Sequence, residues 1–290
     1  MNNNSLLSHR SQEPEKSVLY IVSTPIGNLN DISIRAIKIL KEVSLIACED
    51  TRVTGKLLKH LKISNKLISY HKNNFGQRIP FLIRELKLEK SIALVSDAGT
   101  PLISDPGESL VKTVLDNDFD VISIPGASAS LASLVCSGFK TSKFSFYGFI
   151  PKAKKEREEL LTSIAENKYT SIIYESPKKL KKLLEDLKVF CEGTRRIKAI
   201  KEITKRFEKH YGSDLNDLIE YFSKNEPKGE FTLVIEGNKK NIYIKDLDLR
   251  IELLRLIEAG LSHSKASAYL SKRYSIPRKK IYSLILKDNL

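Results

Sequence analysis

The sequence predicts an α/β protein built as two α/β domains followed by a small all-helical C-terminal segment. Three observations carry that prediction. Short β-branched runs alternate with helix-period segments from Val18 onward, the pattern of strands and helices arranged in layers. At 290 residues the chain is too long for one small core, since domains usually run to ~100–200 residues. Past Gly237 the strand-like runs stop and only helical periodicity remains.

The first 16 residues are polar and lack the apolar stretch of a signal peptide, so residues 1–16 are expected to be a disordered tail. The first strand is expected over Val18 to Ser23, ending in the turn-rich loop Thr24-Pro25-Ile26-Gly27-Asn28-Leu29. Asp31 is then in place to cap a helix whose apolar face is Ile34, Ile37 and Leu40. Strands follow at Leu45 to Cys48, Lys66 to Tyr70, Ile92 to Ser96 and Val121 to Ile124, each separated by one helix length. A further strand, Phe144 to Phe149, with Pro151-Lys152 after it, is read as the end of the first domain, 17–150. The second domain, 151–238, opens with the charged helix Ala153 to Asn167. Its strands are expected at Ser171 to Tyr174, Ile197 to Ile203, Lys209 to Tyr211 and Phe231 to Ile235, with helices over Pro177 to Phe190 and Asp214 to Phe222. So many consecutive strands predict a mixed or largely antiparallel sheet. Residues 239–290 are expected to be helical, with Ser262 to Arg273 and Pro277 to Leu286 arranged like a helix-turn-helix.

Composition narrows the class of function. Apolar residues make up 41% of the chain, enough for a sizeable core. The net charge is +14, and residues 239–290 supply an excess of seven. Such a field attracts polyanions, nucleic acid first among them, although a generally lysine-rich proteome gives the same balance. Cys48, Cys136 and Cys191 are odd in number and far apart. They form neither a disulfide framework nor a Cys-x-x-Cys metal site, and they suit a reducing cytosol. No apolar run approaches the ~20 residues that span a bilayer, so a cytoplasmic protein without membrane contact is expected.

The loops at strand ends carry the chemistry, because open α/β sheets bind ligands at the carboxyl ends of their strands. Ser96-Asp97-Ala98-Gly99-Thr100-Pro101, continuing through Ser104-Asp105-Pro106-Gly107, is stiffened by proline and opened to backbone approach by glycine. Pro125-Gly126-Ala127-Ser128 ends the next strand and opens a helix of small residues. Neither Gly-x-Gly-x-x-Gly nor a phosphate loop occurs, which removes the main support for dinucleotide or nucleoside triphosphate binding. Glu49-Asp50 at a strand end is a candidate ribose acid.

With Cys48-Glu49-Asp50-Thr51-Arg52, Tyr147-Gly148-Phe149-Ile150-Pro151-Lys152, Tyr174-Glu175-Ser176-Pro177 and Gly229-Glu230-Phe231-Thr232, these loops make seven ordered motifs across residues 18–237. In that order the chain resembles the ribosomal RNA small subunit methyltransferase I family of the tetrapyrrole-methylase-like superfamily. The resemblance implies two α/β domains of the tetrapyrrole methylase type with S-adenosyl-L-methionine held bent in the cleft between them. It also implies methylation of the ribose 2'-hydroxyl of a cytidine in the decoding region of 16S ribosomal RNA, on naked RNA or an assembled small subunit, by a homodimer. Carried over by position, Pro25 lines the cleft floor, Asp97, Ala98 and Gly99 meet the methionine and ribose parts, and Ala127 and Ser128 approach from the next loop. Glu175, Ser176 and Thr232 hold the adenosine side.

A ribose hydroxyl is a poor nucleophile and gains from a base or a nearby cation. Glu49, Asp50 and Arg52 are the first candidates, and Glu202 with Lys205 the second. The competing reading of the first trio is a salt-bridged loop that only holds the cleft's shape. For RNA, Lys272, Arg273, Arg278, Lys279 and Lys280 interleave with Tyr274 and Tyr282, which suits phosphate contact with some base stacking. Two other functions remain open: a small-molecule or protein methyltransferase of the same fold, such as one acting on a tetrapyrrole precursor, and a non-catalytic RNA-binding module.

Overall fold

A computed structural model describes residues 13–239, 246–274 and 276–286. The chain forms two compact units, residues 1–237 and 238–290.

The first unit opens with a five-stranded sheet of β1 (Val18–Val22), β2 (Leu45–Cys48), β3 (Leu67–Ser69), β4 (Ile92–Val95) and β5 (Asp120–Ile124), in the order β3-β2-β4-β1-β5. Every pairing in it is parallel. A parallel sheet is covered on both faces, and β1, β2 and β4 accordingly are apolar at nearly every position and buried throughout. Alternation divides them. Val18, Tyr20 and Val22 join Ile39 and Leu40 of α1 (Ile34–Glu42) and Leu58 of α2 (Thr51–His60). Leu19 and Ile21 join Leu82 and Leu86 of α3 (Phe75–Lys87) and Leu110 and Val114 of α4 (Glu108–Leu115).

The second sheet runs β6-β7-β10-β8-β9, from β6 (Phe144–Phe149), β7 (Thr170–Glu175), β8 (Ile197–Lys201), β9 (Lys209–Tyr211) and β10 (Phe231–Ile235). Only β6 and β7 are parallel, so the sheet is mixed, as the run of strands predicts. One face packs on α6 (Lys154–Glu166), α7 (Pro177–Cys191) and α8 (Leu215–Lys224), through residues such as Leu161, Leu183, Leu187 and Phe222. The other face receives Leu134 of α5 (Ala129–Cys136), which meets Ile172, Ile200 and Val234. A helix that follows the first sheet thus packs against the second.

Four expectations need correction. The strand Phe144–Phe149 does not close the first domain; it pairs with β7, so the chain changes sheet before β6 rather than at residue 150. Ser33, not Asp31, caps α1, its hydroxyl accepting from the Ala36 amide at 3.0 Å, while Asp31 sits in a 3₁₀ turn. The strand expected to reach Ile203 stops at Lys201, because Glu202 and Thr204 take left-handed backbone angles, φ 50° and 68°. Residues 13–16, assigned to a disordered tail, are docked: Glu13 is buried and binds the Arg35 guanidinium through both oxygens. The rest of that tail, residues 1–12, lies outside the described residues.

The second unit has three helices among its described residues: α9 (Asp246–Glu258), α10 (His263–Tyr274) and α11 (Arg278–Leu286). The last two match the expected pair within a few residues. Leu249, Leu253, Ala266, Leu270, Tyr274 and Ile281 form its core. No helix among the described residues is long and apolar enough to cross a membrane.

Candidate active site

Three loops leave the carboxyl ends of β1, β4 and β5 and are stitched together before any ligand is considered. Thr24 and Gly99 exchange both backbone hydrogen bonds, at 2.8 and 3.0 Å. The Thr100 hydroxyl lies 2.9 Å from that of Ser23 and donates to the Ala127 carbonyl at 3.2 Å. Gly99 has φ +83°, and a side chain at Gly126 would press on Ser23 Cβ at 2.8 Å, so both glycines answer to geometry. The loop beyond β4 also holds Leu102 and Ser104 at φ 74° and 68°, strain of the kind that gathers at functional sites.

Facing these loops across a cleft are the ends of β7, β8 and β10. The cavity between has a volume of about 600 Å³, inside the usual range for ligand pockets of ~300–1,000 Å³. Ser130 at the start of α5 donates its amide to the Tyr174 hydroxyl at 3.1 Å, bridging the two walls. Phe146 and Phe149 meet the Tyr174 ring edge-on at 5.0 and 5.6 Å, and burial pushes the phenol above its ordinary pKa. Glu175 is buried and accepts from the Ser176 amide at 2.7 Å, and Thr232 stands opposite Tyr174 in the sheet.

Charge gives the cavity its character. Among the described residues, the lining holds six carboxylates, those of Glu49, Asp97, Asp105, Glu175, Glu202 and Glu230, and one cation, Lys205. Lys205 is already held by Glu202 at 3.1 Å and Glu230 at 2.8 Å. Burial raises the Glu202 carboxyl, but the Glu230 amide and Lys205 outweigh it and hold it below the ordinary range. At the other end, burial pushes Glu49 up, and the carboxylates of Asp105 and Asp97 push it further, against the pull of Lys72 and His71. Asp105 is raised in the same way, by burial first and then by Asp97. Such a cavity repels a polyphosphate and welcomes a cation.

Of the sequence-predicted residues, Glu49, Asp97, Ala98, Gly99, Ser128, Glu175, Ser176 and Thr232 line this cavity together. Pro25 and Ala127 are absent from the lining; Pro25 is buried in its loop and Ala127 serves through its carbonyl. Asp50 and Arg52 also lie outside it. They form a salt-bridged pair at 2.6 Å, with the Arg52 side chain 86% exposed, and the guanidinium holds the Asp50 carboxyl down at about 2. A carboxylate so stabilised is a weak base, which leaves Glu49 as the basic group of that loop. Glu202 and Lys205, the second candidates, reach the cavity from the opposite wall.

Asp105 and Tyr174 line the cavity too, and neither is among the candidate site residues named from the sequence. Signals existed. Asp105 is the second acid of the same stiff loop as Asp97, and Tyr174 stands directly before Glu175-Ser176 at the end of its strand.

In the second unit, Arg273 pairs with Glu252 at 2.9 Å and Lys280 with Asp246 at 3.0 Å. Arg278 donates to the Ser264 hydroxyl, and Lys279 is exposed. The side chain of Lys272 lies outside the described residues. Base stacking is not open to Tyr274, which is buried in the helical core with its hydroxyl on Glu252. Tyr282 already stacks on His263 at 4.1 Å.

The family model for Tetrapyrrole (Corrin/Porphyrin) Methylases matches residues 18–219. The chain is 44% identical over 272 residues to ribosomal RNA small subunit methyltransferase I of Synechocystis sp., covering 93% of this chain and 98% of that protein. It is 39% identical to the protein of the same name from Halalkalibacterium halodurans, covering 94% and 96%. Among solved structures, uroporphyrin-III C-methyl transferase from Thermus thermophilus, complexed with S-adenyl homocysteine, superposes with a TM-score of 0.54 at 16% identity. That match covers 75% of this chain and 96% of the other.

Proposed function

The chain belongs to the tetrapyrrole (corrin/porphyrin) methylase family, and from that premise we propose that it transfers a methyl group from S-adenosyl-L-methionine to ribosomal RNA, at the ribose 2'-hydroxyl of a cytidine in the decoding region of 16S RNA. The observation that carries this reading is the match along nearly the whole length of relatives named ribosomal RNA small subunit methyltransferase I.

The residues present fit the cofactor. Its sulfonium and ammonium give it net positive charge, and six carboxylates around one neutralised lysine favour such a ligand. When bound, it supplies a methyl group already activated toward attack by an oxygen nucleophile. The protein's part is then alignment, which can contribute ~7–11 kcal/mol, and proton removal from the hydroxyl. Asp97 and the loop through Gly99 would hold the cationic end, and Glu175, Ser176 and Thr232 the nucleoside end. Glu49 would take the proton.

The acidic cavity also weighs against a polycarboxylate tetrapyrrole precursor as substrate, which would have to enter against those same charges. An RNA strand meets less of this difficulty, because it needs to insert only a neutral ribose edge while its phosphates remain outside. Arg273, Arg278, Lys279 and Lys280 of the second unit are proposed as further phosphate contacts. A homodimer is supported by Leu131 and Val135, which stand 51% and 71% exposed on α5 where an apolar partner surface would cover them; sedimentation of the purified chain should give twice its 32.9 kDa mass.

The direct test is methyl transfer by the purified chain to 16S RNA and to small subunits from cells lacking the protein. Mass mapping should show one cytidine carrying a single added methyl group on its ribose. Failure to bind the cofactor would remove the enzyme reading; binding without transfer to either substrate would remove the RNA reading.

A further inference from the structure

The net charge of +14 is gathered in two places. Residues 239–290 hold an excess of seven, and residues 51–84 hold eight Lys and Arg and not one Asp or Glu. The rest of the chain is close to neutral. An acid-free run of 34 residues inside a folded α/β lobe exceeds what a solvated surface requires, since such surfaces usually mix both signs.

The fold places one end of that run beside the cavity. Residues 51–84 form α2, the outermost strand β3 and most of α3. Cys48 pairs with Ser69 in the parallel register and the Tyr70 amide donates to the Cys48 carbonyl at 2.7 Å. The residues just past them, Glu49 on one strand and His71-Lys72 on the other, therefore emerge side by side. Glu49 lines the cavity, and the charge of Lys72 reaches both Glu49 and Asp105, so Lys72 stands at the rim. Both helices also begin at this rim. Arg52 and Lys56 are four residues apart on the exposed side of α2, and so share a face. Phe75, 43% exposed, opens α3, and Arg78 follows one turn later, reaching the Ser69 hydroxyl at 3.4 Å. Lys56 and Lys72 form no ion pair among the described residues, in contrast to Arg52, which is neutralised by Asp50.

We propose that this rim, comprising Lys56, Lys72, Phe75 and Arg78, is the track on which the single-stranded RNA substrate lies as its ribose enters the cavity next to Glu49. The inference rests on the RNA-methylating reading above and adds to it the surface that does the presenting. Lys56, Lys72 and Arg78 contact phosphates, and the exposed Phe75 ring stacks a base. Acidic cavity and basic rim then divide the labour: the rim holds the polyanion and the cavity holds the cationic cofactor. Aromatic platforms among basic residues are how proteins hold single strands without reading their sequence.

The test uses the full chain. Binding of a labelled single-stranded oligoribonucleotide is followed by fluorescence anisotropy across a salt series, and S-adenosyl-L-methionine binding by calorimetry. The variants are Lys56→Gln with Lys72→Gln, Phe75→Ala, and, as a control equal in charge, Lys62→Gln with Lys66→Gln. The last two residues precede β3, at the end of the strand away from Lys72. Removing two phosphate contacts should lower the log–log salt slope by about 1.4, at ~0.7 per contact for single strands, and weaken binding about tenfold at low salt. Phe75→Ala should weaken binding about fivefold or more with the slope unchanged, since stacking releases no counterions. The control pair should change affinity less than twofold, and cofactor affinity should fall in none of the variants, since the cavity's carboxylates are all kept. An unchanged slope in the Lys56/Lys72 variant, or an equal loss in the control, overturns the track while leaving the methyltransferase reading intact if the wild-type chain still methylates RNA. A wild-type chain that binds the cofactor but no RNA at any salt removes both.

Discussion

Replacing Asp97 by alanine is expected to weaken S-adenosyl-L-methionine binding by about 10- to 100-fold, because hydrogen bonds to charged groups contribute ~1.5–3 kcal/mol each. Asp97 stands at the start of the loop after β4, lines the cavity and is exposed. One of its oxygens accepts from the Asp50 amide at 3.1 Å, which fixes the carboxylate relative to the neighbouring strand end. Losing that single exposed bond should cost little stability, a shift of a few degrees in Tm at most, on the scale of ~2–4 °C per kcal/mol for a chain of this order. Asp97→Asn separates the two roles. It keeps an acceptor for the Asp50 amide and removes the charge, so its Tm should match the wild type while its affinity still falls about tenfold or more. Calorimetric titration beside a thermal melt reads both quantities. Wild-type affinity in Asp97→Asn would mean that the carboxylate holds the loop and not the cofactor.

What could be read in advance follows from which forces act locally. Strand and helix existence was legible because buried parallel strands are continuous apolar runs, as in Leu45–Cys48 and Ile92–Val95. The mixed character of the second sheet was legible from the crowding of its strands. The partner of β6 was not. Phe144–Phe149 reads as a strand on its own residues, but nothing in them names β7 as the partner, a pairing made across the intervening helix α6. The end of β8 was hidden for another reason: Lys201-Glu202-Ile203 continues the strand pattern, and only the left-handed angles at Glu202 and Thr204 reveal the turn.

The site shows the same division. Loops rich in Gly, Pro and Asp announced themselves, and eight of their residues and neighbours meet in one cavity. The sorting of Glu49 from Asp50 and Arg52 was beyond the sequence, since adjacent residues leave a strand on opposite sides and only the structure says which side faces the cleft. The rim charge was overlooked for a different reason. The stretch 51–84 that supplies it has eight basic residues, no two of them adjacent, so the signal is the missing acids rather than any visible cluster.

Replacing Glu49 by glutamine should reduce kcat by about 100- to 10,000-fold, the usual contribution of a positioned base, with cofactor affinity little changed. The pH profile supplies the diagnostic. Glu49 is raised from the ordinary carboxylate pKa of 4.5, chiefly by burial and then by Asp105 and Asp97. Only the ionised form accepts a proton, so wild-type kcat should fall on the acid side at a pH above that ordinary value. In Glu49→Gln that limb should vanish, leaving a low and flat rate. Asp105→Asn then tests the cause, because removing one of the charges that raise Glu49 should move the limb to lower pH while preserving kcat near neutrality. The sign for stability follows from the same shift. A carboxyl whose pKa rises on folding favours the folded state when protonated, and that contribution is lost as pH climbs through the raised value. Two such groups, Glu49 and Asp105, therefore oppose folding at neutral pH. Asp105→Asn should accordingly raise Tm at pH 7, by an amount that shrinks as the pH is lowered through the carboxylate range. A site that gives up stability to keep three acids together is behaving as functional sites do, and an Asp105→Asn protein with unaltered Tm and an unmoved acid limb would show that these carboxylates do not act on one another.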